Sequence, residues 1–342
     1  MPRFLTSPTK VSSLRHCGLA LALFCSASIA VAQPAVTSTE RCLLDALANA
    51  APDTRVADLK SICQQDAVQE QSIEPVVLPA DDSLIERRKQ VELATRNSPF
   101  VLTPHKSNYV LLASYNDTLN LSPYALGEDG FDRVEMKFQL SVRFPVVENL
   151  FASEGDLYFA YTNLSFWQAY NRSDSSPFRE TNHEPEVFVL LENDWQFLGW
   201  KNSLIQVGLS HQSNGKSGDL SRSWNRLYAQ LVFERENIFL GVKPWYRLPE
   251  DAGNDDNPDI EEYLGHGEIW LGYKQGENTY SMMLRSDLLT GGKGAVQLDW
   301  SFPLYGRYRG YLQYFNGYGE SLIDYDADTH RIGFGLELTE LL

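Results

Sequence analysis

The feature that most constrains this chain is a period-two alternation of apolar and polar residues. From about Ser107 onward it recurs in segments of roughly ten residues, the length of a membrane-crossing strand, separated by clusters of Gly, Asn, Asp, Ser and Pro. The clearest segment runs from Val134 to Phe144. Val134, Met136, Phe138, Leu140, Val142 and Phe144 share one parity; Glu135, Lys137, Gln139, Ser141 and Arg143 share the other. Successive side chains of a strand point to opposite faces, so this is a strand with one apolar and one polar side. The same pattern marks twelve strands, near 107–116, 132–144, 156–170, 183–193, 203–213, 224–234, 238–248, 263–274, 278–289, 294–302, 307–316 and 330–340.

Twelve long alternating strands, an even number, fit an all-β chain: an antiparallel transmembrane β-barrel of about ten-residue strands joined by short turns and longer loops in turn. The strands of a soluble sandwich usually run about five or six residues. A secreted soluble β-protein with one wet face is the weaker reading of such long charged faces. Beyond the N-terminus no apolar run is long enough to cross a bilayer as a helix, which excludes a helical membrane protein. With 29 Lys and Arg against 45 Asp and Glu, the net charge of −16 argues against a nucleic-acid partner.

Residues 1–32 read as a secretory signal peptide. Arg3, Lys10 and Arg15 precede the apolar stretch from Cys17 to Cys25, and Ala30-Val31-Ala32 forms a small-residue cleavage signature. Residues 33–96 read as a helical periplasmic extension and linker, with a helix near Ser83–Arg96. In an oxidising compartment Cys42 and Cys63 most simply pair, stapling two short helices by roughly 3 kcal/mol. Residues 97–342 read as the barrel.

One strand carries chemistry. Ile205, Val207 and Leu209 set its apolar parity, and His211 and Ser213 continue it just before an Asn214-Gly215 turn. Both therefore point to the lipid side, close enough for an imidazole to reach a hydroxyl. Asn225 lies on the apolar parity of the next strand. Lipid offers such groups no hydrogen bonds, so their place at the membrane edge needs a reason. The bland alternative is that strand ends lie among headgroups, where polar residues cost little.

The block from His211 to Ser217 and the block from Ser221 to Tyr228 resemble the signature of bacterial outer-membrane phospholipase A. So do Ser175–Pro185, Lys243-Pro-Trp-Tyr, Asp255–Ile260 and Gly317–Tyr325, all in order between about Asn97 and Leu342. The resemblance implies a twelve-stranded barrel that hydrolyses phospholipid acyl esters, with A1, A2 and lysophospholipase activity. It further implies a need for calcium, one ion per monomer, and a homodimer as the active form. On these residues it implies Ser213 as nucleophile, His211 as general base and acid, Asn225 as orienter and the Gly215 amide as oxyanion donor. It implies calcium ligands from Ser221, the Lys216 carbonyl and Ser175 of a partner subunit, with Asp256 as a possible further ligand by analogy. Asn163 falls at a polar interface position. The chain departs from the pattern at Lys216, where Arg is usual, at His183, where Tyr is usual, and in the Ser217–Leu220 loop with Asp219. A catalytically inactive or porin-like barrel is the competing reading. A soluble esterase is disfavoured by the missing Gly-x-Ser-x-Gly elbow.

Overall fold

A computed structural model describes residues 83–95, 102–124, 130–151, 155–172, 175–286, 293–306 and 308–339, together with Leu47, Ala48 and Arg55. The leader, the Cys42–Cys63 pair and most of the expected extension lie outside the described residues. The chain divides into two units, 1–75 and 76–342.

Within the second unit twelve long strands form the wall. They are β1 (Asn108–Asn116), β2 (Val134–Val147), β3 (Asp156–Trp167), β4 (Phe178–Glu192), β5 (Trp200–Ser213), β6 (Ser223–Arg235), β7 (Ile238–Leu248), β8 (Gly267–Gln275), β9 (Asn278–Ser286), β10 (Gly294–Tyr305), β11 (Tyr308–Gly317) and β12 (Thr329–Thr339). Each pairs antiparallel with its sequence neighbours. β12 returns to pair with β1, Ile332 opposite Tyr115, so the sheet closes on itself and leaves no edge. Two two-residue pieces, Thr103–Pro104 against β2 and Gln196–Phe197 against β5, add to the rims.

The expected parity is the observed one. On β2, Leu140 and Phe144 are exposed on the outer wall, whereas Glu135, Lys137 and Ser141 are buried in the lumen. Most boundaries fall within three residues of those expected, and two differ by more. β4 begins at Phe178 rather than near 183, because the Phe178–Asn182 stretch reads as loop by composition yet pairs with β3 across a bulge at Arg179. Residues 263–264 belong to a short helix, α2 (Ile260–Leu264), not to a strand; Gly265 ends it at a φ of 64° that only glycine adopts freely.

The two ends of the barrel differ. At one, short connections join β5 to β4, β6 to β7 and β8 to β9, and the exposed aromatics Trp195, Phe197, Tyr305 and Tyr308 ring the rim. Such amphipathic rings anchor at headgroup level. Helix α1 (Leu84–Thr95) packs on this end. Ser83 caps it through the Glu86 amide, and the Ile85 amide donates to Glu234 of β6 at 3.0 Å. Lys89 pairs with Glu192 of β4, and Glu92 with Arg143 of β2.

At the other end the long loops fold inward. Ile260 and Leu264 of α2 bury with Leu322 and Tyr325 of the 318–328 loop against Trp224 and Trp245 of the wall. Beneath them the lumen is crossed by ion pairs. Glu320 binds Lys137 at 2.9 Å and Arg331 at 2.7 Å; Glu135 binds Arg331 at 2.8 Å and Arg179 at 3.0 Å; Arg179 also reaches Asp324 at 2.7 Å. A charge removed from water is tolerated where a partner and hydrogen bonds compensate it, and here each has both.

Candidate active site

The site lies on the outer wall at the end with the long loops. β5 and β6 run in a register that sets His211 directly opposite Asn225 and Ser213 opposite Ser223. Val207, Leu209 and Leu227, on the same face, are all exposed to the surroundings of the barrel. His211 Nδ1 is 2.8 Å from Asn225 Oδ1, and an amide oxygen only accepts, so Nδ1 carries the proton. That leaves Nε2 as the basic nitrogen of the ring, two residues along the strand from Ser213.

The lumen side holds these two strands in place. Trp224, next to Asn225, is completely buried, and its ring nitrogen donates to Gln212 Oε1 at 2.8 Å. It meets Trp245 edge-on at 6.1 Å, with the Arg226 guanidinium 4.1 Å from its ring centre. Arg226 reaches on to Glu184 Oε1 at 2.7 Å, which also accepts from Ser210. The residues flanking His211 are thus fixed by groups on the opposite face of the sheet. Gly208, three residues before His211, lets β4 approach: a Cβ there would meet Phe188 Cβ at 2.5 Å.

Beyond Ser213 the chain turns at Gly215, whose φ is 64°. Asn214 sets the turn, its Oδ1 accepting from the amides of Lys216 at 3.3 Å and Arg222 at 3.0 Å. Lys216 Nζ donates to the Arg179 carbonyl at 2.7 Å and pairs with Glu180 at 3.0 Å, tying this turn to β4. His183 of β4 is the register partner of Ser213, and a Cβ at Gly215 would lie 3.7 Å from its ring. Its Nδ1 is 2.6 Å from the Tyr161 hydroxyl and 3.4 Å from Asn163 Nδ2. Asn163 is the register partner of His183 on β3. Tyr161, Asn163 and His183 therefore extend the polar patch from the site onto the neighbouring wall.

The expected metal-binding residues divide into two places. Ser221 Oγ donates to Asp256 Oδ2 at 2.6 Å, which brings a hydroxyl and a carboxylate together at the 214–222 turn. Hydroxyl, carboxylate and main-chain oxygens suit a hard cation such as calcium. Among the described residues no group of three His, Cys, Asp or Glu side chains is spaced to hold a metal. Asp255 and Asp259 are committed elsewhere, to Arg247 at 2.6 Å and to the Tyr325 hydroxyl at 2.6 Å. Ser175 lies in the β3–β4 loop at a φ of 54°, followed by Ser176 at 53°. Two left-handed non-glycine residues in a row are a costly backbone that the surrounding loop must hold. The Ser176 carbonyl does so by accepting from Trp167 Nε1 at 2.9 Å.

A closed barrel with an apolar outer wall, a plugged lumen and a serine, histidine and asparagine on its lipid side defines a hydrolase-like barrel of the outer membrane. Residues 85–338 match the family model described as phospholipase A1. The chain belongs to the phospholipase A1 family. It is 42% identical over 252 residues to a phospholipase A1 of Klebsiella pneumoniae, covering 73% of this chain and 86% of that one. Its fold matches the Salmonella typhi outer-membrane phospholipase dimer with bound calcium at 38% identity and a TM-score of 0.68, covering 72% of this chain and 95% of that one. It also matches outer-membrane phospholipase A from Escherichia coli at 38% identity and a TM-score of 0.67, covering 71% and 100%.

One member of the arrangement escapes sequence reasoning. Asn225 Nδ2 donates to Glu250 Oε1 at 3.1 Å. Glu250 stands in the β7–β8 loop outside every recognisable block, and only strand parity counted onward from Tyr246 and Leu248 would have put it on the outer face.

Proposed function

We propose that this protein is a calcium-dependent outer-membrane phospholipase that hydrolyses the acyl esters of phospholipids at both the A1 and A2 positions and of lysophospholipids. The observation that carries the reading is the 2.8 Å contact between His211 Nδ1 and Asn225 Oδ1 on the lipid side of the wall. It gives the imidazole the tautomer a general base needs, on the face where lipid arrives.

In this reading Ser213 Oγ attacks the ester carbonyl carbon as His211 Nε2 takes its proton. The tetrahedral intermediate collapses, the lysolipid alkoxide leaves with that proton, and the acyl group stays on Ser213. Water, deprotonated by the same imidazole, then releases the fatty acid. The Gly215 amide faces the developing oxyanion. Ser221, Asp256 and the Lys216 carbonyl, with Ser175 of a partner subunit, would hold calcium. Bound there, calcium supplies positive charge beside the oxyanion. A ligand supplied by a second copy makes the site incomplete in a monomer, so association acts as the switch. The Tyr161, Asn163 and His183 patch on the lipid side supports such an interface, because a second copy would offer the hydrogen bonds that lipid withholds. The domain reading goes with this: a leader over 1–32, a Cys42–Cys63 stapled periplasmic extension to about 96, and the barrel beyond.

The test is fatty-acid release from phospholipid micelles by the refolded protein, with calcium and with a chelator. The expected result is calcium-dependent release that Ser213→Ala abolishes, with the barrel's heat-modifiable gel migration unchanged. Release that survives Ser213→Ala would remove the nucleophile. Dimers should dissociate under the same chelation that ends activity.

A further inference from the structure

We propose that Glu250 is a positioning residue of this site, acting through Asn225; the inference rests on the triad reading above. Asn225 is the register partner of Leu248, the last residue of β7. Glu250 stands two residues further on, beyond Pro249, and so continues the parity of Tyr246 and Leu248 toward the outer face. Its carboxylate meets the Asn225 amide nitrogen at 3.1 Å, while the amide oxygen faces His211 at 2.8 Å.

An asparagine amide has two nearly isosteric orientations, and only the groups around it decide between them. A carboxylate accepts and does not donate. With Glu250 on one side, the flipped amide would set an oxygen against a carboxylate and an NH2 against the imidazole. In that flipped state His211 Nδ1 would have to accept, its proton would move to Nε2, and Nε2 could no longer take one from Ser213. Glu250 therefore selects the one amide orientation that leaves His211 competent. It also sets a negative charge one residue removed from the imidazolium formed during attack. Asp supplies that charge directly in the commoner triad. Here the amide relays it, and the carboxylate stays at the mouth of the barrel, off the strand that faces lipid.

The relation is tested by exchanging the two residues. Glu250→Ala should lower kcat by about tenfold with KM unchanged, the scale of a lost hydrogen bond to a charged group. Glu250→Gln keeps an acceptor oxygen for Asn225 and should recover most of that loss. Asn225→Asp should be impaired at least as much as Glu250→Ala, because its second oxygen would face the Glu250 carboxylate. Adding Glu250→Gln to Asn225→Asp turns that contact into a hydrogen bond and should raise kcat severalfold above the Asn225→Asp single variant. A Glu250 that only braces the loop predicts no such rescue. Glu250→Gln having the same effect in both backgrounds, or Glu250→Ala matching wild type in kcat, would overturn the proposal. Failure of the triad itself reads out separately, as hydrolysis retained in Ser213→Ala whatever stands at 250.

Discussion

Ser213, His211 and Asn225 occupy three successive corners of one small patch of sheet, and the bond from His211 to Asn225 leaves the imidazole a single useful state for the proposed chemistry. Groups coupled so closely do not contribute independently. His211→Ala should cost about 10²–10⁴ in kcat, the range of a lost general base. The double variant of His211 and Ser213 should be no worse than Ser213→Ala alone, as single-turnover acyl release would show. A further drop in the double variant would mean that His211 does something besides serving Ser213. His183 brings a second imidazole beside Gly215, where the family resemblance leads one to expect a phenol. Its ring is held by Tyr161, so it belongs to the wall rather than to the proton path.

The strands were legible because a barrel wall asks each residue only one question, lipid or lumen, and period-two alternation answers it. All twelve strands and the lipid-side parity of His211, Ser213 and Asn225 follow from that answer. Alternation does not say which lumen residue meets which across the barrel. The pair of Lys137 with Glu320 spans 183 positions, and the bond from the Ile85 amide to Glu234 spans 149; neither leaves a local signal. Glu250 was hidden for a related reason: parity counted onward from Leu248 sets its face, but nothing local says that it meets Asn225. Close approach of two strands is equally silent. At Gly208 any side chain would push against Phe188 and the Val187 carbonyl. Gly208→Val should therefore destabilise the β4–β5 pairing by roughly 1–3 kcal/mol, in the range of overpacking a tight interior, and lower the temperature at which compact gel migration is lost. An unchanged transition would show that β4 can move aside freely.

Taken whole, the barrel is closed by its own side chains. A lumen cavity of about 890 Å³ remains, but α1 packs on one end and the 318–328 loop fills the other. In planar bilayers the protein should show no steady conductance; open channels would favour the porin-like alternative. Glu320 links that loop to the wall. Burial pushes its carboxyl up, but Arg331 and Lys137 overcome this and hold it below its ordinary value. A carboxyl that titrates lower when folded stabilises the fold above its unfolded pKa, and that contribution is lost as pH falls through the folded one. Acid should accordingly lower the unfolding temperature. Glu320→Gln should weaken that dependence, and at neutral pH it should cost roughly 3–5 kcal/mol, the scale of breaking a buried pair.

Because His211 and Ser213, the proposed catalytic pair, face outward, no substrate would need to leave the bilayer, enter a channel or cross bulk water to reach them. The encounter takes place in two dimensions. The quantity that sets the rate is then the mole fraction of phospholipid in the surrounding surface, not its molar concentration in the tube. Adding inert detergent at constant total lipid should slow the protein, while adding more micelles of the same composition should not speed it once every molecule is embedded. Its kinetics are those of a neighbourhood, and its local supply changes whenever the composition of the leaflet does.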